Sequence, residues 1–546
     1  MKASAFTPRA VATLNLILDA RNAGTPIILL ETDDIHLLPE VEATGRLGDF
    51  CYARMDDAEW RSRWLTERSW PDITVARNFI LRETDRALTA SLTEFALNPG
   101  RRTLILQTPA LRIPEGLEPY VEVITPPALS APEIRSIVAS FAARRHEHPS
   151  EHVLDTFTAN FRGLSELKIN EILSRMDLEM DSVFDPSALH KVSEVIVDAK
   201  RRILKKEGLL QPVAPSDKEI GGLDRLKQWV EGRRQLLHDP ATRHDWAIDS
   251  PKGILVCGIP GTGKSLLARI TAKILAVPLI RFNMGRVLGG LVGESEHNLR
   301  RALSLAETMS PCVLWIDEIE KAFSSASGAS TDSGVGKRIF GEFLTWMQEK
   351  EAPCFVFATA NDISSIPPEF LRRGRFDRKF YTFMPTLDEC VSIFRSVMAP
   401  AAGLFAPEVM GRAFLSQIVA YAGGKGKFLT GADIEGLVAD AKFICREELD
   451  RKPVPRPYTT RLFDMALRRA IDEARPYGET NRADMARCLV ALARHRFAPA
   501  ASESIADVSA IDPDSPSLPP YSSPRNGYDE LLYDTLRKEL RKLSEK

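Results

Sequence analysis

Residues 254–275, ILVCGIPGTGKSLLARITAKIL, decide how the central part of this chain folds. The apolar run 254–257 reads as a buried strand, and GIPGTGKS (258–265) has the spacing GxxxxGK[ST]. The apolar periodicity of SLLARITAKIL reads as a helix opening directly from that loop. Gly261 and Gly263 let backbone amides turn inward around phosphate oxygens. Lys264 places a point charge at the β and γ phosphates, and Ser265 offers a hydroxyl to Mg²⁺. Gly258, Pro260, Gly261, Thr262, Gly263, Lys264, Ser265 and Leu266 are therefore the candidate phosphate-loop contacts.

Downstream, CVLWIDEIEK (312–321) is an apolar strand ending in two adjacent carboxylates with separable jobs. Asp317 holds Mg²⁺ and Glu318 orients and polarises an attacking water. A third strand, VFATAND, ends at Asn361, whose amide is placed to contact the γ-phosphate and that water. In LRRGRFDR (371–378), Arg372 and Arg375 are candidates to spread transition-state charge. Nothing local decides whether they serve their own chain's nucleotide or a neighbour's.

These signals, in this order, resemble the AAA+ ATPases, and more narrowly their AAA clade, over about residues 206–445. The resemblance includes IGGLDRLK (220–227), GESEHNLR (293–300) and TGADIEGL (430–437). It implies ATP and Mg²⁺ as cofactors, an adenine site near Ile220 and Gly221, and Gly431 and Ala432 at the second sensor. It also implies a homo-oligomeric ring, usually a hexamer, in which residues matching Arg372 and Arg375 reach the adjacent subunit's site. The segments RRILKKEGLLQPV (201–213), CVLWIDEIEKAF and FGEFLTWMQEKEAP are similar to a narrower group, the hypothetical chloroplast open reading frame AAA+ proteins of plastids and bacteria. Members of that group carry an N-terminal α/β region without a phosphate loop. Threading rings of the clade place an aromatic before GESE, whereas Leu291 and Val292 stand here, which implies a weaker grip on a polypeptide. Local remodelling of a protein partner is the function expected, with a nucleotide-controlled assembly switch as the alternative.

The rest of the chain is read around this block. Residues 1–130 form an α/β domain with apolar runs PIILLE (26–31), RTLILQT (102–108) and YVEVI (120–124), expected to pair in parallel. Residues 104–133 share the layout of 356–389, a strand, a polar turn with Ile-Pro and a second strand ending at Pro. The fold class expected is α/β: a degenerate AAA+ module without phosphate chemistry, then an active one. Residues 131–205 are a helical, lid-like connector in which His146, His148 and His152 are solvated rather than metal ligands. Residues 206–400 are the nucleotide core and 401–496 a helical lid. The Pro- and Ser-rich stretch 497–527 reads as a flexible linker. In 528–546, Leu532, Leu536, Leu540 and Leu543 share a helix face expected to dock back on its own assembly, or else to bind a partner.

Composition narrows the partners. With 72 Lys and Arg against 74 Asp and Glu the net charge is −2, and no basic run interleaved with aromatics is present, so nucleic acid is disfavoured. Seven scattered cysteines without CxxC spacing argue against a disulfide framework or a zinc site. No apolar run reaches the ~18 to 20 residues of a membrane span, so the chain reads as cytoplasmic, or stromal if its source is a plastid. A protein client is expected through the N-terminal domain or the last helix.

Overall fold

The computed structural model describes residues 6–54, 57–67, 70–77, 79, 85–108, 113, 116–180, 182–185, 192, 195–196, 198–202, 204, 208–214, 222–288, 294–323, 333–451, 456–519 and 526–545. It divides into two compact units, Met1–Arg201 and Arg202–Lys546.

The first unit is built on β1 (Ile27–Glu31), β2 (Phe50–Tyr52), β3 (Ile73–Ala76), β4 (Thr103–Thr108) and β5 (Val121–Ile124). All neighbours pair in parallel, in the order β2-β3-β4-β1-β5. The central strands β1 and β4 are buried on both faces, β1 up to Leu30 and β4 throughout, and carry the apolar runs Ile27–Leu30 and Leu104–Leu106. Side chains alternate between the layers: Ile28 and Leu30 pack with Leu14 and Ile17, whereas Ile27 and Leu29 pack with Trp64, Leu92 and Phe95. The helices Ala131–Arg144, Glu151–Phe161 and Glu166–Glu179 belong to the same compact unit as this sheet.

The second unit holds β6 (Leu210–Val213), β7 (Gly253–Gly258), β8 (Leu279–Phe282), β9 (Cys312–Ile316), β10 (Cys354–Ala360), β11 (Arg378–Thr382) and β12 (Ala498–Pro499). They form a seven-stranded sheet, β12-β11-β7-β10-β9-β8-β6, parallel except for β6 against β8. Counting only β7 to β11, the spatial order is fifth, first, fourth, third, second. The first unit's β1 to β5 have that same order. The lid comprises helices Arg412–Gly424, Gly431–Arg451, Thr460–Glu473 and Arg482–Arg494.

The stretch 497–527 does not behave as a linker up to residue 519, and that expectation is corrected. Ala498 pairs with Phe380, Ala500 N–H donates to Tyr381 O at 2.9 Å, and Leu226 N–H donates to Ala500 O at 3.0 Å. Ile505, Ala506, Val508, Ile511 and Leu518 are buried in the main core. Composition misleads here because irregularly spaced apolar residues can fill separate holes without any helix or strand period. Residues 520–525 lie outside the described residues. The final helix, Gly527–Ser544, then packs on Arg482–Arg494 and Arg412–Gly424, burying Leu532, Leu536 and Leu540 completely, with Leu543 partly buried beside them.

Candidate functional site

The phosphate loop leaves the C-terminal end of β7, the central strand beside which the chain order reverses, a place where parallel sheets bind ligands. A Cβ on Gly258 would lie 2.0 Å from Thr382 O on the neighbouring strand, so only glycine allows the strand end to pack. Gly261 and Gly263 have φ of +79° and +84°, which turns successive amides toward one side ahead of the helix Lys264–Leu275. Lys264 is 7% exposed and donates from Nζ to Gly258 O and Ile259 O, both at 2.8 Å. Burial pulls its ammonium down to about 8. The charge is thus held by loop carbonyls in a place where a phosphate oxygen would stabilise it further.

Opposite the loop, Thr359 on β10 organises the end of β9. Its hydroxyl donates to Asp317 Oδ1 at 2.7 Å and accepts from Glu318 N–H at 3.1 Å. Glu318 has φ of +51°, an uncommon backbone for a side chain of this kind. Its Oε1 accepts from Asn361 Nδ2 at 2.9 Å and its Oε2 pairs with Lys321 at 2.9 Å. Asn361 is fixed in turn, since its N–H donates to Glu320 Oε1 at 3.0 Å. The other Glu320 oxygen is buried without a hydrogen-bond partner, and burial raises that carboxyl.

A cavity of about 540 Å³ joins these groups. It is lined by Pro260 to Leu266, Asp317, Glu318, Thr359 and Asn361 at one end. At the other end lie Leu223, Phe383, Pro385, Glu389, Ile393 and Val397, with Gly431 and Ala432 beside the loop. Leu223, Phe383, Pro385, Ile393 and Val397 give this part of the lining an apolar surface, beside the polar Glu389, Ser396 and Glu435. Burial pushes the Glu389 carboxyl up to about 7, while the N–H groups of Thr386 and Leu223 act against that rise. Gly222 lies next to it with φ of +76°, a left-handed backbone that favours glycine, and a Cβ there would approach Glu389 Oε1 to 2.5 Å.

Of the residues singled out in the sequence, Pro260, Gly261, Thr262, Gly263, Lys264, Ser265, Leu266, Asp317, Glu318, Asn361 and Ala432 meet at this cavity. Gly258 shapes the strand end behind it. Arg372 and Arg375 are not among its lining residues; Arg375 donates to Glu369 O, and Arg372 is exposed with Glu369 at 3.9 Å. Ile220, Gly221, Leu291 and Val292 lie outside the described residues. Sequence reasoning missed Thr359, Glu320 and Glu389. Only Glu389 carried a local signal, the T-x-x-E of Thr386 to Glu389 at a helix start.

Ser265 and Asp317 form a hard oxygen donor set suited to Mg²⁺. Asp317 Oδ2 already faces a cation, the Arg281 guanidinium at 3.2 Å, which itself stacks over Trp315. In their donor chemistry Ser265 and Asp317, which line the same cavity, fit the ion, and Asp317 would take it in exchange for Arg281.

The first unit differs at the equivalent place. After β1, the buried carboxylate of Asp34 accepts from His36 N–H at 2.9 Å and Leu37 N–H at 3.3 Å, and pairs with Arg9. A carboxylate thus sits where the second unit presents its loop amides.

Comparison with known proteins agrees with the second unit's architecture. Residues 254–383 match the family "ATPase family associated with various cellular activities (AAA)". The chain contains an AAA ATPase domain. That domain is related to the plastid and algal ycf46 AAA proteins. An uncharacterized AAA domain-containing protein ycf46 of Pyropia yezoensis is 38% identical over 294 residues, 54% of this chain and 58% of that protein. The ycf46 protein of Guillardia theta is 35% identical over 329 residues, 60% of this chain and 63% of that protein. A cell division cycle protein 48 homolog of Archaeoglobus fulgidus is 28% identical over 299 residues, 53% of this chain and 39% of that protein. The matches to the two ycf46 proteins thus span about three fifths of their length. Among the described residues no helix is long and apolar enough to cross a membrane.

Proposed function

We propose that this protein hydrolyses ATP with Mg²⁺ in a homo-oligomeric ring and uses the cycle to remodel a protein partner. The observation that carries the reading is the hydrogen-bonded pair Asn361 and Glu318, facing the phosphate loop across one cavity. In this reading the amides of residues 261–265 and the Lys264 ammonium bind the β and γ phosphates. Ser265 and Asp317 hold Mg²⁺, which when bound neutralises phosphate charge. Glu318, aimed by Asn361 and by its own strained backbone, accepts hydrogen bonds from the attacking water and orients it for in-line displacement. The apolar end from Phe383 to Val397, with Leu223, takes the base, and Ala432 closes the lid side.

Arg372 and Arg375 are proposed to complete a neighbouring protomer's site, a reading supported by their absence from this chain's own cavity lining. The first unit is proposed to be a nucleotide-silent copy of the same module. Its matching strand order supports this, as does the buried Asp34, which would repel a phosphate. The client is proposed to be recruited through that unit. The test is Glu318→Gln in a full-length chain. We expect ATP binding within about twofold of wild type and turnover lowered at least about 100-fold. Turnover equal to wild type would overturn the assignment.

A further inference from the structure

The first N–H groups of a helix have no partner within it and must find one elsewhere. Two helices of the second unit begin at the nucleotide cavity, Leu387–Met398 and Gly431–Arg451, and each starts with a reciprocal box of the form T-x-x-acid. In the first, Thr386 N–H donates to Glu389 at 3.1 Å and Glu389 N–H donates to Thr386 Oγ1 at 3.3 Å. In the second, Thr430 N–H donates to Asp433 at 2.8 Å and Asp433 N–H donates to Thr430 Oγ1 at 3.2 Å. Beside each box stands a backbone N–H that the box does not satisfy, Leu387 just inside the first and Leu429 just before the second.

Both are taken by consecutive residues at the start of the last helix. Leu387 N–H donates to Asp529 Oδ1 at 2.9 Å, and Leu429 N–H donates to the Tyr528 hydroxyl oxygen at 3.0 Å. Tyr528 is 1% exposed and Asp529 8%. Asn526 locks the pair in place, donating to Asp529 Oδ2 at 2.6 Å and accepting from Asp529 N–H at 2.9 Å. A Cβ on Gly423 would come within 2.7 Å of the Tyr528 ring, so the lid leaves room for this side chain. The boxes lead straight to the cavity: Pro385 and Glu389 line it from the first, Gly431 and Ala432 from the second. Ala432 N–H, moreover, donates to Gly261 O of the phosphate loop at 3.0 Å.

We propose that Tyr528 and Asp529 are positioning residues for nucleotide binding, a two-point clamp by which the C-terminal helix sets the two helix starts that border the cavity, one at its apolar part and one beside the phosphate loop. The proposal rests on the reading of that cavity as the ATP site. Neither residue touches the cavity, so both act through the backbone they hold. Nucleotide affinity then depends on a helix that lies outside the family match at residues 254–383.

The experiment titrates full-length protein with N-methylanthraniloyl-ADP and measures ATP turnover to saturation for wild type, Tyr528→Phe, Asp529→Ala and Asp529→Asn. Tyr528→Phe removes one acceptor oxygen and keeps the ring, so the fold is retained even if Asp529→Ala loosens it. Loss of one such hydrogen bond is expected to raise Kd and KM about fivefold, with kcat within about twofold of wild type. Asp529→Asn keeps a carbonyl oxygen for Leu387 N–H but turns its NH2 toward Asn526 Nδ2, so its affinity is expected to fall between wild type and Asp529→Ala. The proposal is overturned if Tyr528→Phe and Asp529→Ala bind like wild type while only their melting temperatures fall. Lys264→Ala in the same titration separates the two claims: unchanged affinity there would refute the cavity as the phosphate site, whatever the clamp variants show.

Discussion

The Asn361 side-chain amide donates to Glu318 Oε1 at 2.9 Å, and the two residues come from the ends of adjacent parallel strands, β10 and β9. Register explains why they meet. Ala358 pairs with Ile316, an offset that sets Ala360 level with Glu318 and Asn361 one place further on, within reach of the Glu318 side chain. In the proposed mechanism this bond couples the group that positions the water to the group that senses the γ-phosphate.

Asn361→Ala should lower turnover about 100-fold, the usual cost of losing a donor that aims catalytic machinery, with nucleotide affinity within about threefold. Single-turnover hydrolysis beside equilibrium binding separates the effects. A rise in Kd with unchanged single-turnover rate would assign Asn361 to binding alone.

Two glycines of the loop should respond differently. Gly258→Ala drives a Cβ into Thr382 O, and a destabilisation of about 3 kcal/mol or more is expected. Gly263→Ala meets open space and suffers only from its φ of +84°, a cost of about 1 to 2 kcal/mol. Urea unfolding of the nucleotide-free protein checks the order.

Glu389 gives a pH dependence whose sign can be stated. Burial raises its folded carboxyl from 4.5 to about 7, so between those values the native state binds more protons than the unfolded chain. Stability is therefore lost as pH rises through that window. Glu389→Gln removes the term, so the variant should gain on wild type as pH goes from 5 to 7.5. The gain should reach about 1 to 2 kcal/mol once partial exposure is discounted. A gap in melting temperature that does not widen with pH would contradict the origin in burial.

The C-terminal helix should be part of the folded core. Leu536 is fully buried between helices, and Leu536→Ala is expected to cost about 2 to 5 kcal/mol. If residues 497–546 were instead a tail, deleting them would leave the melting temperature unchanged.

The parts of the site readable in sequence are those whose chemistry is packed into a short stretch. Gly258 to Ser265 must be small, cationic and hydroxylic in that order to hold phosphate, and Asp317 and Glu318 stand together at one strand end. What escaped notice is built from distant residues. Thr359 bridges Asp317 and Glu318 from a neighbouring strand, Glu389 borders the base end from the start of a helix, and Tyr528 reaches Leu429 across 99 positions. The shared layout of 104–133 and 356–389 raises the expectation of a duplicated module but carries no strand order, which the two sheets are found to have in common. The short strands β2 and β3 and the edge strands β6 and β12 carried too few residues to show a period. Ile505, Val508, Ile511 and Leu518 were hidden for the opposite reason, being core residues set in linker-like composition.

The most direct test of the central claim, ATP hydrolysis at sites completed between protomers, mixes two silent variants. Glu318→Gln lacks the water-orienting carboxylate but keeps its arginines, and Arg375→Ala keeps the carboxylate but lacks one arginine. Each should be nearly inactive alone, and mixing should restore turnover by placing an intact Arg375 against an intact Glu318. Exchange of protomers, followed by fluorescence transfer, with turnover still absent would contradict the account.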